Sequence, residues 1–271
     1  MTTKELLQKH GFHFNKKYGQ NFISDGNLLD SIVADAEVDE NSIVLEIGAG
    51  AGTLTARLAS TAAKVVSYEI DSALQPVLQE ALSSYENVTV RFKDFMREDV
   101  GKLQEEFAHA KVVANLPYYI TTPVIMRLLE NGIGDSITVM VQKEVAERLT
   151  AAPAHKEYGS ITVKVNLLGG AKVTRTVSRA MFYPVPNVDS AIVRIDRTDK
   201  YRGKNEALTD KLVKSAFLMR RKTLVNNLGD FGSKEQLADY LAKAGIDKDV
   251  RGETLSAEDF IRLSDVITDS K

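Results

Sequence analysis

The run Ser42-Ile43-Val44-Leu45-Glu46-Ile47 breaks into Gly48-Ala49-Gly50-Ala51-Gly52, and residues 53–62 then read as a helix. A β-branched strand, a glycine turn and a helix form the first unit of a nucleotide-binding α/β domain, which constrains the fold more than any other stretch here. Glycine is needed where the backbone turns tightly or lets a ligand come close. A dinucleotide fingerprint would carry its third glycine where Thr53 stands, to accommodate a pyrophosphate. The tighter Gly48-x-Gly50-x-Gly52 suits a ligand without phosphates, such as the amino-acid end of S-adenosylmethionine; glycine-rich strand ends also occur for packing alone.

The rest of the first half keeps the same rhythm. Strands are expected over 64–71, 88–93, 111–115 and 136–141, separated by helices over 74–82, 123–129 and 144–149. Alternation of this kind implies a mostly parallel sheet covered on both faces. An earlier helix runs from an N-cap at Ser24 or Asp25 to about Ala36, with Leu28, Leu29, Ile32 and Val33 on one face. Residues 1–18 are polar and basic with little periodicity, and are expected to be a flexible arm. The stretch 161–167 alternates like a strand, yet its flanking glycines also suit a short helix. Strands over 173–177 and 191–195 complete this part. From Glu206 the pattern turns helical, with a helix stop at Gly245 and a last helix capped by Ser256. The polar stretch 198–204 marks a boundary, giving a cofactor-binding domain over 1–200 and a helical domain over 201–271.

In an open α/β sheet, ligands collect beyond the carboxyl ends of the strands. Three such ends carry polar groups. Glu69 stands where a carboxylate can accept hydrogen bonds from both ribose hydroxyls, and Asp94 where one can bond an adenine amino group; each is otherwise a solvated acid. Asn115-Leu116-Pro117-Tyr118 offers an amide, backbone carbonyls and a ring just ahead of a helix start at Thr122-Pro123. The tetrapeptide alone does not separate a site from a proline turn that merely ends a strand. Pro184 and Pro186 stiffen the loop after Phe182 and hold that ring on a surface-facing segment, as a stacking face for a base or as one more core phenylalanine.

Composition closes off some chemistries. There is no cysteine, and the four histidines lack metal-ligand spacing, so neither a thiolate nucleophile nor a tightly held metal is expected. A net charge of −2 argues against a protein that coats nucleic acid, but residues 172–222 carry a basic surplus. No apolar run approaches a membrane span and no signal-peptide core follows the first residues, so the expected location is the cytoplasm.

These motifs together resemble the rRNA adenine N6,N6-dimethyltransferases, specifically their small-subunit (16S, KsgA-type) branch. Gly19-Gln20-Asn21-Phe22, residues 46–55, Asn115-Leu116-Pro117-Tyr118 and residues 182–190 occur in the family's order, and Arg220-Arg221-Lys222-Thr223-Leu224 extends the match into the tail. The resemblance implies a Rossmann-like S-adenosylmethionine-dependent methyltransferase sheet with a small C-terminal all-helical domain. It further implies dimethylation of two adjacent adenosines in a hairpin loop near the 3′ end of small-subunit rRNA. Cofactor contacts carry over to Asn21, Ile23, Gly48, Gly50, Glu69, Asp94 and Asn115, and target-base contacts to Asn115, Leu116, Pro117, Tyr118 and Phe182. Arg220, Arg221 and Lys222 become RNA contacts, 161–167 becomes helical, and the partner becomes a small-subunit precursor met by a monomer. Ala49 stands where many members carry proline, and Ile23 replaces a common leucine. The alternatives are a large-subunit methyltransferase of the macrolide-resistance type, a methyltransferase for DNA adenine or protein glutamine, and a noncatalytic RNA-binding factor on the same fold.

Overall fold

The computed structural model describes residues 3–13, 21–23, 25–199, 201, 203 and 205–270. Gly19, Gln20, Ser24 and residues 1–2 and 14–18 of the expected arm lie outside them. The chain divides into two compact units, one of 1–146 with 172–197 and one of 147–171 with 198–271. The second unit is therefore discontinuous, and the single boundary expected near residue 200 is replaced by three crossings of the chain between units.

The first unit opens with α1 (Thr3–Lys9), β1 (Phe22–Ile23) and α2 (Gly26–Asp35), then alternates β2 (Ile43–Ile47), α3 (Thr53–Ala59), β3 (Lys64–Glu69), α4 (Gln75–Ala81), β4 (Val88–Phe92), α5 (Val100–Phe107), β5 (Lys111–Asn115), α6 (Tyr118–Glu130) and β6 (Ser136–Gln142). After α7 (Lys143–Leu149) and α8 (Ser160–Leu168), the chain returns through β7 (Gly169–Val177), β8 (Phe182–Tyr183) and β9 (Ser190–Arg197). Seven strands form one sheet in the order β4-β3-β2-β5-β6-β9-β7, parallel from β4 to β6, with β9 antiparallel to β6. β2 is buried except at Ile43, as a strand covered on both faces must be. On one face, Val44, Val65, Val113 and Ile192 join Leu28, Leu29 and Ile32 of α2 and Leu54 and Leu58 of α3 in one apolar cluster.

Local chemistry accounts for the helix starts. Asp25 caps α2 by accepting from Leu28 N at 2.8 Å, which settles the cap between the two residues expected there. α6 begins at Tyr118, four residues ahead of expectation, because Pro117 already has the extended backbone of a cap; Pro123 lies inside the helix and removes one amide donor. Residues 3–9 are a helix, not a flexible arm: Leu6 and Leu7 are buried in a second cluster with Ala49, Ala51, Val77 and Leu78, and Lys9 and His10 both bond Glu80.

The second unit contains α8, helical as the family resemblance implied, with α9 (Glu206–Ala216), α10 (Leu224–Asn227), α11 (Lys234–Lys243) and α12 (Ala257–Asp269). α11 and α12 open with capping boxes at Ser233 and Ser256. Tyr158, fully buried, donates its hydroxyl to the Leu255 carbonyl at 2.8 Å, one residue before the Ser256 cap. The Tyr158→Phe change would strand that carbonyl, and a stability loss of about 1–3 kcal/mol is expected by denaturant unfolding. An unchanged midpoint would mean that the carbonyl finds another donor.

Candidate active site

The sheet register brings the expected site residues together. Ile47 lies opposite Tyr68 on β3 and Ala114 on β5, so the next residues along each strand are Gly48, Glu69 and Asn115. The cofactor and target-base candidates all line one cavity of about 330 Å³ beyond these strand ends.

At the glycine turn, Gly48 and Gly50 both have positive φ. A Cβ on Gly50 would approach the Phe22 ring to 3.0 Å, so this position is closed to side chains by strain and by space. The Gly50 amide donates to one oxygen of Glu69 and the Asp71 amide to the other, each at 2.8 Å. Burial raises the Glu69 pKa while these backbone bonds pull the other way. The Ile70 amide is a third backbone donor to this carboxylate, which lies at the cavity wall with acceptor capacity remaining. Asp94 caps a 3-10 turn through Met96 N and sits 3.4 Å from Arg97 Nε.

Residues distant in sequence meet through a two-residue antiparallel ladder, in which Phe22 faces Tyr183 and Ile23 faces Phe182. It delivers Asn21 to the tetrapeptide, where the Asn115 side-chain Nδ2 donates to the Asn21 carbonyl at 3.1 Å. With its nitrogen tethered, the amide presents Oδ1 as an acceptor. Tyr118 is half-buried, and its hydroxyl shares a 2.8 Å hydrogen bond with Ser190 Oγ, which is fully buried. Phe182 is a correction: it is 3% exposed and belongs to the apolar cluster beneath the sheet, so it meets the cavity as part of a buried wall, not on a surface-facing segment.

The basic tail also differs from expectation. Arg220 donates to the Lys156 and Tyr158 carbonyls and pairs with Glu253, so it braces its own unit. Arg221 and Lys222 are exposed, beside exposed Leu218 and Met219. Much of the basic surplus is likewise neutralised: Arg175 pairs with Asp35, Arg194 with Glu37 and Asp196, and Lys214 with Asp210. Lys200, Arg202 and Lys204 lie outside the described residues. No group of metal-ligating side chains occurs among the described residues, and none of their helices is long and apolar enough to cross a membrane.

Three residues assigned no role of their own by the sequence belong to this region: Tyr119 at the cavity wall, Ser190 bonded to Tyr118, and Glu46. Glu46 is fully buried behind the glycine turn. One of its oxygens accepts from Thr55 on α3 and Ser67 on β3, both at 2.6 Å, and the other has no hydrogen-bond partner among the described residues. Its signals in the sequence were an acid inside the apolar run of β2 and its place at the head of the motif over 46–55.

A mostly parallel sheet whose strand ends present a glycine turn, a carboxylate and Asn-Leu-Pro-Tyr around one cavity defines a Rossmann-like methyltransferase. A model of the ribosomal RNA adenine dimethylase family matches residues 11–269, and the chain belongs to that family. It is 46% identical to the ribosomal RNA small subunit methyltransferase A of Clostridium botulinum (strain Kyoto) over 99% of both chains. Among solved structures it is similar to a dimethyladenosine transferase from Plasmodium falciparum, with 26% identity, a TM-score of 0.78 and coverage of 89% of this chain and 95% of that one. It is also similar to the 23S rRNA methyltransferase ErmE, with 27% identity, a TM-score of 0.72 and coverage of 91% and 99%. The family's methyl donor, S-adenosylmethionine, fits the residues present. The turn at Gly50 leaves no room for a side chain, Glu69 keeps acceptor capacity for a diol, and a largely apolar cavity suits a nucleoside without phosphates.

Burial pushes the Glu46 carboxyl up to about 7 from 4.5. A folded pKa raised in this way means a contribution to stability intact below about pH 4.5 and lost as pH rises through 7. Glu46→Gln, which lacks the titration, should therefore gain on the wild type between about pH 5 and 8, by on the order of 3 kcal/mol at most. Thermal unfolding of both proteins across that range tests this, and parallel profiles would contradict it.

Proposed function

We propose that this chain transfers methyl groups from S-adenosylmethionine to N6 of two adjacent adenosines in a hairpin loop near the 3′ end of small-subunit (16S) rRNA. In this reading a monomer acts on a small-subunit precursor in the cytoplasm. The observation that carries the reading is the tethered Asn115 amide, which lines a cavity of nucleoside size. S-adenosylmethionine supplies an already activated methyl. The protein's task is to present the acceptor nitrogen in line with it.

An adenine amino group is a weak nucleophile because its lone pair is delocalised into the ring. Asn115 Oδ1 and the Leu116 carbonyl, as acceptors for its two hydrogens, favour a tetrahedral nitrogen with a localised lone pair. Pro117 has no amide hydrogen to compete for these oxygens. The Tyr118 ring stacks on the base once it leaves its own strand, and Phe182 forms the apolar wall behind it. Unstacking costs a few kcal/mol, least in a loop. Asn21, Ile23, Gly48, Gly50, Glu69 and Asp94 hold the donor, with Glu69 accepting from the ribose. Arg221 and Lys222 supply phosphate contacts. The high identity to small-subunit enzymes supports that RNA over the 23S substrate named for ErmE.

Purified protein should transfer labelled methyl to small subunits taken from cells lacking it, and nucleoside analysis should find dimethyladenosine. Asn115→Ala should lose at least about a hundredfold in turnover, a far larger effect than its loss of one among several cofactor contacts has on cofactor affinity. Undiminished methylation by that variant would remove Asn115 from the mechanism.

Ser190 fixes the Tyr118 hydroxyl, so Ser190→Ala should lower kcat/KM roughly tenfold. The same change in a Tyr118→Phe background should cost nothing further; additive losses would show that Ser190 does not act through that hydroxyl.

A further inference from the structure

Tyr118 and Tyr119 follow one another on the first turn of α6 and have opposite surroundings. Tyr118 is half-buried and its hydroxyl is bound by Ser190. Tyr119 is 66% exposed, yet it lines the same cavity. The chain has no tryptophan, and Tyr119 is the only exposed phenylalanine or tyrosine among the described residues. It has no hydrogen-bond or ring partner among them either. The turn that carries it is fixed, since the Pro117 carbonyl accepts from both Ile120 N and Thr121 Oγ1.

We propose that Tyr119 is a second stacking site, which takes the base next to the target adenosine. This rests on the reading that the substrate is RNA with an extruded adenosine. When one base leaves a stack, its neighbour loses a stacking partner, and Tyr118 and Phe182 are taken up by the base that left. A tyrosine at the rim supplies the missing face, and its hydroxyl makes the ring tolerant of water before RNA arrives. Base–aromatic stacking accepts any base, so the contact holds the strand without reading its sequence. The division of labour follows from the environments: the anchored ring orients the reacting base, and the unanchored one adapts to its neighbour.

The test compares wild type with Tyr119→Phe, Tyr119→Leu and Tyr119→Ala on undermethylated small subunits. The aromatic replacement should behave like wild type. The leucine and alanine variants should raise KM for the subunit roughly tenfold, with kcat and KM for S-adenosylmethionine little changed. A short RNA with 2-aminopurine beside an adenosine should be quenched by wild type and Tyr119→Phe, and remain bright with the other two. A leucine variant equal to wild type in both assays, or an alanine variant with unaltered KM, would overturn the inference. Wild-type protein that methylates no small-subunit RNA would instead defeat the underlying reading of the substrate.

Discussion

The two-residue ladder between β1 and β8 is the smallest element of the fold, and the site depends on it. By pairing Ile23 with Phe182 it joins the end of the N-terminal region to the return stretch before β9. One residue upstream, the Asn21 carbonyl holds the Asn115 amide. The adjacent Phe22 ring fills the space over Gly50 and stacks edge-on to Phe12, which extends the support outward towards α1. Donor turn, acceptor amide and wall aromatic are thus positioned by one short patch of backbone pairing, not by three separate loops.

Polar groups around the cavity are pre-committed in a consistent way. Glu69 is held by the Gly50, Ile70 and Asp71 backbone amides, Asn115 by one carbonyl and Tyr118 by one hydroxyl. Each keeps an unused acceptor or an open ring face. This is how a site avoids reorganising during reaction, because the free valence is already aimed when the ligand arrives. Glu46 stands behind this front row and ties β2 to α3 and β3, with a buried oxygen left bare.

Local signals made much of this legible. The glycine turn, the strand-end acid and the Asn-Leu-Pro-Tyr stretch all declared themselves, because strand ends in a parallel sheet are marked by an abrupt change from apolar to polar residues. What failed was what depends on distant partners. Alternation in 161–167 imitates a strand because α8 buries Thr162, Val163, Val165, Leu167 and Leu168, leaving no clean exposed stripe of helical period. The prolines after Phe182 suggested exposure, whereas pairing with β1 turns its ring into the apolar cluster. The basic surplus looked like a nucleic-acid face, but Asp35 and Glu37, far upstream, neutralise part of it. α1 offered only Leu6 and Leu7, too little for periodicity to be read.

The discontinuity of the second unit bears on the order in which the chain can fold during synthesis. β6 emerges early but gains its antiparallel neighbour only when β9 is made, after α8 has already been produced. α8 in turn must wait for α9 and α12, the helices of its own unit that it touches. Neither unit can finish before the other has started, so their maturation is interleaved in time. A nascent chain halted after β9 would carry a complete sheet and an orphaned helix whose apolar side chains invite a chaperone.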